Sequence, residues 1–247
     1  MAGILILGNG GAVNDGLPYN AFLVDGTALV EAPPDVMLSL HREGIAPPAI
    51  EDIYISHLHG DHCFGFPFLA LGLFFQSVRD GDTRRRSVFV PGGGRDYLLA
   101  LTEMALGTAH PCIDWIRARI MWTDISVTNP ILLAGRETRL YRMEHFVEAY
   151  GFTMHEGASC PLAYSADTLW CESMERIIAC GPEIFIVDLN GEPGDPVAVH
   201  LSEAELVEKG VPLARAGTRF HGTHLKRNKS SAHPALSYVR AGQSIVT

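Results

Sequence analysis

Ser56-His57-Leu58-His59-Gly60-Asp61-His62 places four side chains able to ligate a metal ion within six positions. The run follows an apolar stretch, residues 52–56, that reads as a strand. Side chains of an extended segment alternate with period two, so His57 and His59 face the same way and both imidazoles can reach one ion. Gly60 relaxes the backbone at the following turn, which lets Asp61 and His62 swing toward an adjacent ion. From the His and Asp frequencies of this chain, a chance HxHxDH pattern is expected on the order of once in a thousand such chains, so exposed loop histidines explain it poorly.

The elements that must carry these residues are legible in outline. Residues 3–7, 20–24 and 27–31 read as short strands, the last two flanking the hairpin signal Asp25-Gly26. Pro33-Pro34 opens an expected helix over residues 35–43, closed by Gly44, and the aromatic stretch 64–75 is expected to be buried. Residues 80–86 form a polar loop whose run Arg84-Arg85-Arg86 reads as solvated surface. A strand at 87–90 then leads into Gly92-Gly93-Gly94. That triplet lacks the Lys-Ser/Thr of a phosphate loop and reads as a turn before a helix over 95–106. Further strands are expected at 131–134, 137–143, 150–155, 162–165 and 183–189, and two last ones around 219–225 and 237–246. Helices are expected over 169–180 and 202–209, the second with Ser202 as cap and Glu205 at the box position. Without an internal repeat or low-complexity linker, the chain reads as one α/β domain over residues 1–247, its sheets covered by helices.

Composition narrows the partners. The chain has 247 residues, 19 Lys+Arg against 28 Asp+Glu, and a formal net charge of −9. Nonspecific nucleic-acid affinity comes mostly from neutralising phosphates, so a broad nucleic-acid groove is excluded and any phosphate recognition must be local. No apolar run reaches the roughly 18 residues of a membrane-spanning helix, so no membrane partner is expected. Five widely spaced cysteines without a CxxC pair point to a reducing, cytoplasmic compartment.

The HxHxDH segment resembles the metal-binding signature of the metallo-β-lactamase superfamily, and its continuation Gly60-Asp61-His62-Cys63-Phe64-Gly65-Phe66-Pro67 is similar to the ribonuclease Z branch. Four other segments resemble the same branch in order: Leu7-Gly8-Asn9-Gly10-Gly11, Glu144-His145 before Tyr150-Gly151-Phe152, Tyr164-Ser165-Ala166-Asp167-Thr168, and Gly222-Thr223-His224-Leu225. The resemblance implies a four-layer αββα sandwich with two mixed sheets flanked by helices. It implies that His57, His59 and His145 hold one metal, that Asp61, His62 and His224 hold the other, and that Asp167 bridges them. His155 rivals His145 and His221 rivals His224 for their places. Such N/O ligation without thiolate suits two divalent ions, Zn²⁺ first, with Mn²⁺ and Fe²⁺ also compatible. A metal-bridging hydroxide is then the expected nucleophile. Val199-His200-Leu201-Ser202 is similar to the element whose His assists leaving-group protonation, which makes His200 with Asp61 the candidate catalytic residues; the alternative is that His200 merely precedes a helix. Asp188 either orients a histidine or begins the turn at Asn190-Gly191.

The chain departs from the branch in two places. Only 22 positions separate His145 from Asp167, too few for the arm that grips tRNA, and Asp188-Leu189-Asn190 stands where the branch has a His-Glu pair. The expectation is therefore a hydrolase of small phosphodiesters, cyclic or modified nucleotides, rather than a tRNA 3′ endonuclease. A lactone, thioester or sulfate ester hydrolase on the same metal pair is the alternative, and a catalytically silent binding protein is a third reading. Two divalent cations against Asp61 and Asp167 leave a local charge of about +2, which suits a small anionic ester despite the acidic chain. The branch also implies a homodimer.

Overall fold

Apolar residues run unbroken from Ile4 to Leu7 and through the next two strands, and in the computed structural model, which describes residues 3–195 and 197–247, these segments pair into the start of a sheet. β1 (Gly3–Gly8), β2 (Ala21–Val24), β3 (Ala28–Val30), β4 (Asp52–Tyr54), β5 (Arg86–Val90) and β6 (Ile120–Asp124) lie side by side in chain order. The pairing is antiparallel from β1 to β3 and parallel from β3 to β6. A second sheet holds β7 (Ile131–Leu133), β8 (Arg136–Arg142), β9 (Tyr150–Glu156), β10 (Ser159–Tyr164), β11 (Ile184–Asp188), β12 (Arg219–Thr223) and β13 (Leu236–Tyr238), parallel from β10 onward. The expected strand at 237–246 is in fact two: β13 begins it in the second sheet, and β14 (Ser244–Val246) crosses back to pair with β1.

Three buried cores make the four layers. Ile4, Ile6, Phe22 and Val24 meet Phe152, Met154, Leu162 and Ile186 between the two sheets. On the outer face of the first sheet, Leu23, Leu29, Ile53 and Val88 pack under α1 (Val36–Arg42), α3 (Phe66–Asp80), α4 (Gly94–Leu106) and α5 (Pro111–Arg119), while the one-turn α2 (Gly60–Cys63) supplies Cys63. Ala163, Phe185 and Phe220 of the second sheet pack under α6 (Glu172–Ala179), with Leu206 beyond α7 (Glu203–Glu205). This is the αββα sandwich with two mixed sheets. Among the described residues no helix is long and apolar enough to cross a membrane.

Some expectations change. The aromatic stretch 64–75 is not uniformly buried: Phe66, Leu69, Ala70 and Leu73 face the core at helical spacing, whereas Phe64, Phe68 and Phe75 are 45%, 51% and 57% exposed. Arg86 is buried rather than solvated, its guanidinium 2.8 Å from Asp82 Oδ2. The helix expected over 169–180 begins only at Glu172, and the one at 202–209 keeps its Ser202/Glu205 capping box but widens after Glu205 into π-type turns. α5 and β6 had no counterpart in the sequence reading.

The strand ends set the stage for chemistry. The HxHxDH run follows β4, Asp167 follows β10, Asp188 ends β11 and His224 follows β12, so all project from the carboxyl ends of parallel strands, where α/β sheets bind ligands. Backbone bonds fasten the run to the segment after β3: Ala32 N–H donates to His62 O (2.8 Å) and Gly65 N–H to Ala32 O (2.8 Å). That approach requires a glycine at 65, because a Cβ there would collide with the Pro33 carbonyl and lie 2.7 Å from Val36 Cγ1. Gly65→Ala is expected to destabilise the fold by about 1–3 kcal/mol, lowering Tm by roughly 2–10 °C; calorimetry of the variant showing an unchanged Tm would refute this.

Candidate metal centre

The loop at residues 55–59 presents His57 and His59 with ring centroids 4.8 Å apart, and both lie near His145 from the β8–β9 loop, 5.0 Å from each. His145 Nε2 comes within 3.2 Å of His59 Nδ1. His57 accepts or donates at Nδ1 with Ser56 Oγ (2.9 Å), which leaves its buried Nε2 without a protein partner. The ligand atoms of His57, His59 and His145 all lie within 4.8 Å of one another.

A second group, Asp61, His62, Asp167 and His224, is as close-set and more deeply buried. His62 Nε2 and His224 Nε2 approach to 3.2 Å, and Asp61 Oδ2 lies 3.1 Å from His224 Nε2. Asp167 sits between the groups. Its Oδ1 is 3.4 Å from His62 Nε2, and its Oδ2 is 3.4 Å from His224 Nε2 and 3.9 Å from His57 Nε2. Asp167 Oδ1 and His57 Nε2 are buried without hydrogen-bond partners. Inward-facing imidazole nitrogens and an orphaned carboxylate oxygen, crowded within bonding reach of a common centre, fit divalent cations.

The rivals fall elsewhere. His155 bonds Thr153 Oγ1 (2.8 Å) through Nε2, and His221 bonds Ser237 Oγ (2.9 Å) through Nδ1; neither belongs to a ligand group. Burial pushes the His221 imidazole down to about 4, so it is neutral at physiological pH.

Carboxylates behind the imidazoles hold them in place. Asp188 Oδ2 lies 2.7 Å from His200 Nδ1 and Oδ1 lies 3.6 Å from His224 Nδ1, so Asp188 serves both histidines; it also accepts the N–H groups of Thr168 (3.2 Å) and Asn190 (3.1 Å). It thus does both things left open by the sequence. Glu31 was not singled out by sequence reasoning at all. It is fully buried, its Oε1 3.4 Å from His62 Nδ1, and it accepts from the Tyr164 hydroxyl (3.0 Å) and the Ser56 N–H (3.2 Å). The only signal was an acidic residue ending an apolar strand just before Ala32-Pro33-Pro34. Glu31, Ala166 and His224 all have left-handed backbones, with φ of 66°, 54° and 61°. Each costs of order 1–3 kcal/mol and persists only because its surroundings over-determine it.

Burial and the facing charges shift the protonation of these groups. Burial alone would lower the His62 imidazole, but Asp167 and Glu31 hold it well above its ordinary value; His224, likewise opposed by burial, is raised to about 10 by Asp167, Asp188 and Asp61. Burial and the neighbouring imidazoles push His57 well below its ordinary value. Burial would raise the carboxyls of Asp61 and Asp167, yet the facing imidazoles hold both below the usual range. The facing carboxylates thus favour protons on His62 and His224, and a metal ion bound there competes with those protons. Loading is expected to release about one or two protons per chain at pH 7 and to tighten as pH rises, read as a buffer-dependent enthalpy in calorimetry; loading without proton release would exclude both residues as ligands.

The family described as Anti-Pycsar protein Apyc1 matches residues 2–216, a stretch that ends before His224. The uncharacterized protein Rv1339 of Mycobacterium tuberculosis is 27% identical over 176 residues, covering 70% of this chain and 61% of that protein. Ribonuclease BN of Salmonella heidelberg is 32% identical over 117 residues, covering 44% of this chain and 32% of that protein. The chain thus spans less than two thirds of the length of these curated relatives. Among solved structures, the metallo-β-lactamase fold protein YhfI from Bacillus subtilis superposes with a TM-score of 0.77 at 15% identity, covering 99% of this chain and 98% of that one. Human tRNase Z, short form, does so with a TM-score of 0.73 at 20% identity and the same coverage. The likenesses show the metallo-β-lactamase fold.

Proposed function

This chain belongs to the Anti-Pycsar protein Apyc1 family, and from that premise we propose that it is a dinuclear metal-dependent hydrolase of small phosphodiesters, cyclic or modified nucleotides. The observation that carries the reading is the pair of ligand groups that meet at Asp167, each built from segments that follow strands of both sheets. His57, His59 and His145 would hold one ion, Asp61, His62 and His224 the other, with Asp167 between them. Two bound divalent ions supply Lewis-acid polarisation of the ester and acidify the attacking water. Zn²⁺ suits the donor set best. The substrate is small because the β9–β10 hairpin turns in two residues, Gly157-Ala158, and adds no arm for a long polyanion.

The chain's own residues do the rest. Asp61 and Asp167 place carboxylate oxygens among the ligand nitrogens, where they would help to hold the ions. His200, with its ring centroid 5.0 Å from that of His224, is the proton donor to the leaving oxygen. Burial would lower its pKa, but the Asp188 carboxylate overrides that and holds His200 above its ordinary value, which favours the protonated form that the role needs. Activity should therefore fall as pH rises through the His200 pKa, and Asp188→Asn should move that alkaline limb to lower pH. A limb that stays put in the pH–rate profile of the variant would remove His200 as the acid.

The reaction itself is tested on protein loaded to about two ions per chain. Chromogenic phosphodiester, lactone, thioester and sulfate substrates are offered in parallel, and the phosphodiester should turn over, with Asp61→Ala losing orders of magnitude while keeping its fold by circular dichroism. Turnover confined to the non-phosphate esters would replace the phosphodiester reading by the alternative one.

A further inference from the structure

Single exposed apolar side chains are common on surfaces, so the position of one decides its meaning. Phe146 is 75% exposed and directly follows His145, its ring centroid 6.1 Å from the imidazole with the planes tilted by 42°. The loop that carries it is pinned. Met143 N–H donates to Ala149 O (2.9 Å), Leu169 N–H donates to Glu144 O (3.0 Å), and the Arg142 guanidinium reaches the Val147 and Ala149 carbonyls at 3.4 and 3.3 Å. Beside the ring, Glu144, His145, Leu169, Ala198 and Val199 join Phe146 around a recess of about 90 Å³. That is the liquid volume of about three waters, enough for the edge of one planar ring. A phenyl ring held in solvent beside a metal-ligand group, flanked by a recess where Leu169, Ala198 and Val199 meet Glu144 and His145, is an arrangement that takes a flat heterocycle.

We propose that Phe146 is the stacking face for the nucleobase of the substrate, with the recess lined by Leu169 and Val199 receiving the edge of the base. This rests on the phosphodiester reading above, and it makes Phe146 a positioning residue: it fixes the nucleoside so that the phosphate falls on the ligand groups. Every base offers a π face to the ring, so stacking on Phe146 accepts purines and pyrimidines alike.

Two measurements test it. On metal-loaded protein, kcat/KM is compared for thymidine 5′-(p-nitrophenyl phosphate) and ethyl p-nitrophenyl phosphate, which share a leaving group and differ in the base-bearing half. The ratio should favour the thymidine ester; Phe146→Leu, apolar but not flat, should lower that ratio roughly tenfold, chiefly through KM, and Phe146→Tyr should restore it. A ratio near one in the parent protein, or a ratio that Phe146→Leu leaves intact, overturns the proposal. The second measurement needs no turnover. In Phe146→Trp, thymidine 5′-monophosphate should quench the added indole fluorescence saturably relative to the parent protein, while ribose 5-phosphate should not; absence of that difference also overturns the proposal. Hydrolysis of neither ester would sink the phosphodiester reading alone, and the fluorescence result would then decide the stacking role.

Discussion

Everything at the centre of this molecule depends on a buried polar chain that joins the two sheets. The Thr223 hydroxyl donates to Asn20 Oδ1 (2.7 Å), Asn20 Nδ2 to the Tyr164 hydroxyl (2.9 Å), and Tyr164 to Glu31, whose carboxylate faces His62. Thr223 and Tyr164 belong to the second sheet, Asn20 and Glu31 to the first or its margins. Buried hydrogen bonds of this kind are directional where the surrounding apolar contacts are not, so they fix how one sheet sits on the other. Both ligand groups draw side chains from both sheets. A slide of about 1 Å between them would spoil both groups, since catalytic geometry tolerates little more than that.

The same burial creates an electrostatic problem with only a few solutions. Glu31, Asp167 and Asp188 are almost wholly removed from solvent, as are His57, His62 and His224. Carboxylates in such surroundings are costly unless something positive faces them. Protons on His62 and His224 can fill that role, and so can divalent cations. The strained, left-handed residues at 31, 166 and 224 belong to the same bargain, being tolerated because the chain around them is fastened on several sides.

How much of this was legible in the sequence follows from how local each signal is. The HxHxDH run is contiguous and can be read locally; residues 57–59 lie in the loop after β4, where His59 keeps extended backbone. His145, Asp167 and His224 are isolated in the chain and were reached only through resemblance to known motifs. Glu31 was passed over because a carboxylate ending a strand looks the same whether it faces water or an imidazole; its burial is decided by Tyr164, some 130 positions away. The exposure of Phe64, Phe68 and Phe75 was misjudged because aromatic content was read without helical phase. The return of β14 to β1 rests on pairing between the two ends of the fold, for which no short window carries a sign.

That pairing of distant segments also orders events in time. Gly10 bridges Leu225, β14 closes on β1, and the glycine-rich turn lies against His224, so that a Cβ at Gly11 would come within 2.9 Å of its carbonyl. A nascent chain emerging from the ribosome therefore displays His57, His59 and His62 long before His224 has been synthesised. Folds dominated by such remote contacts mature slowly. The group of Asp61, His62 and His224 cannot exist until remote parts of the polypeptide have come together, so its assembly is tied to closure of the whole fold and not to any local segment.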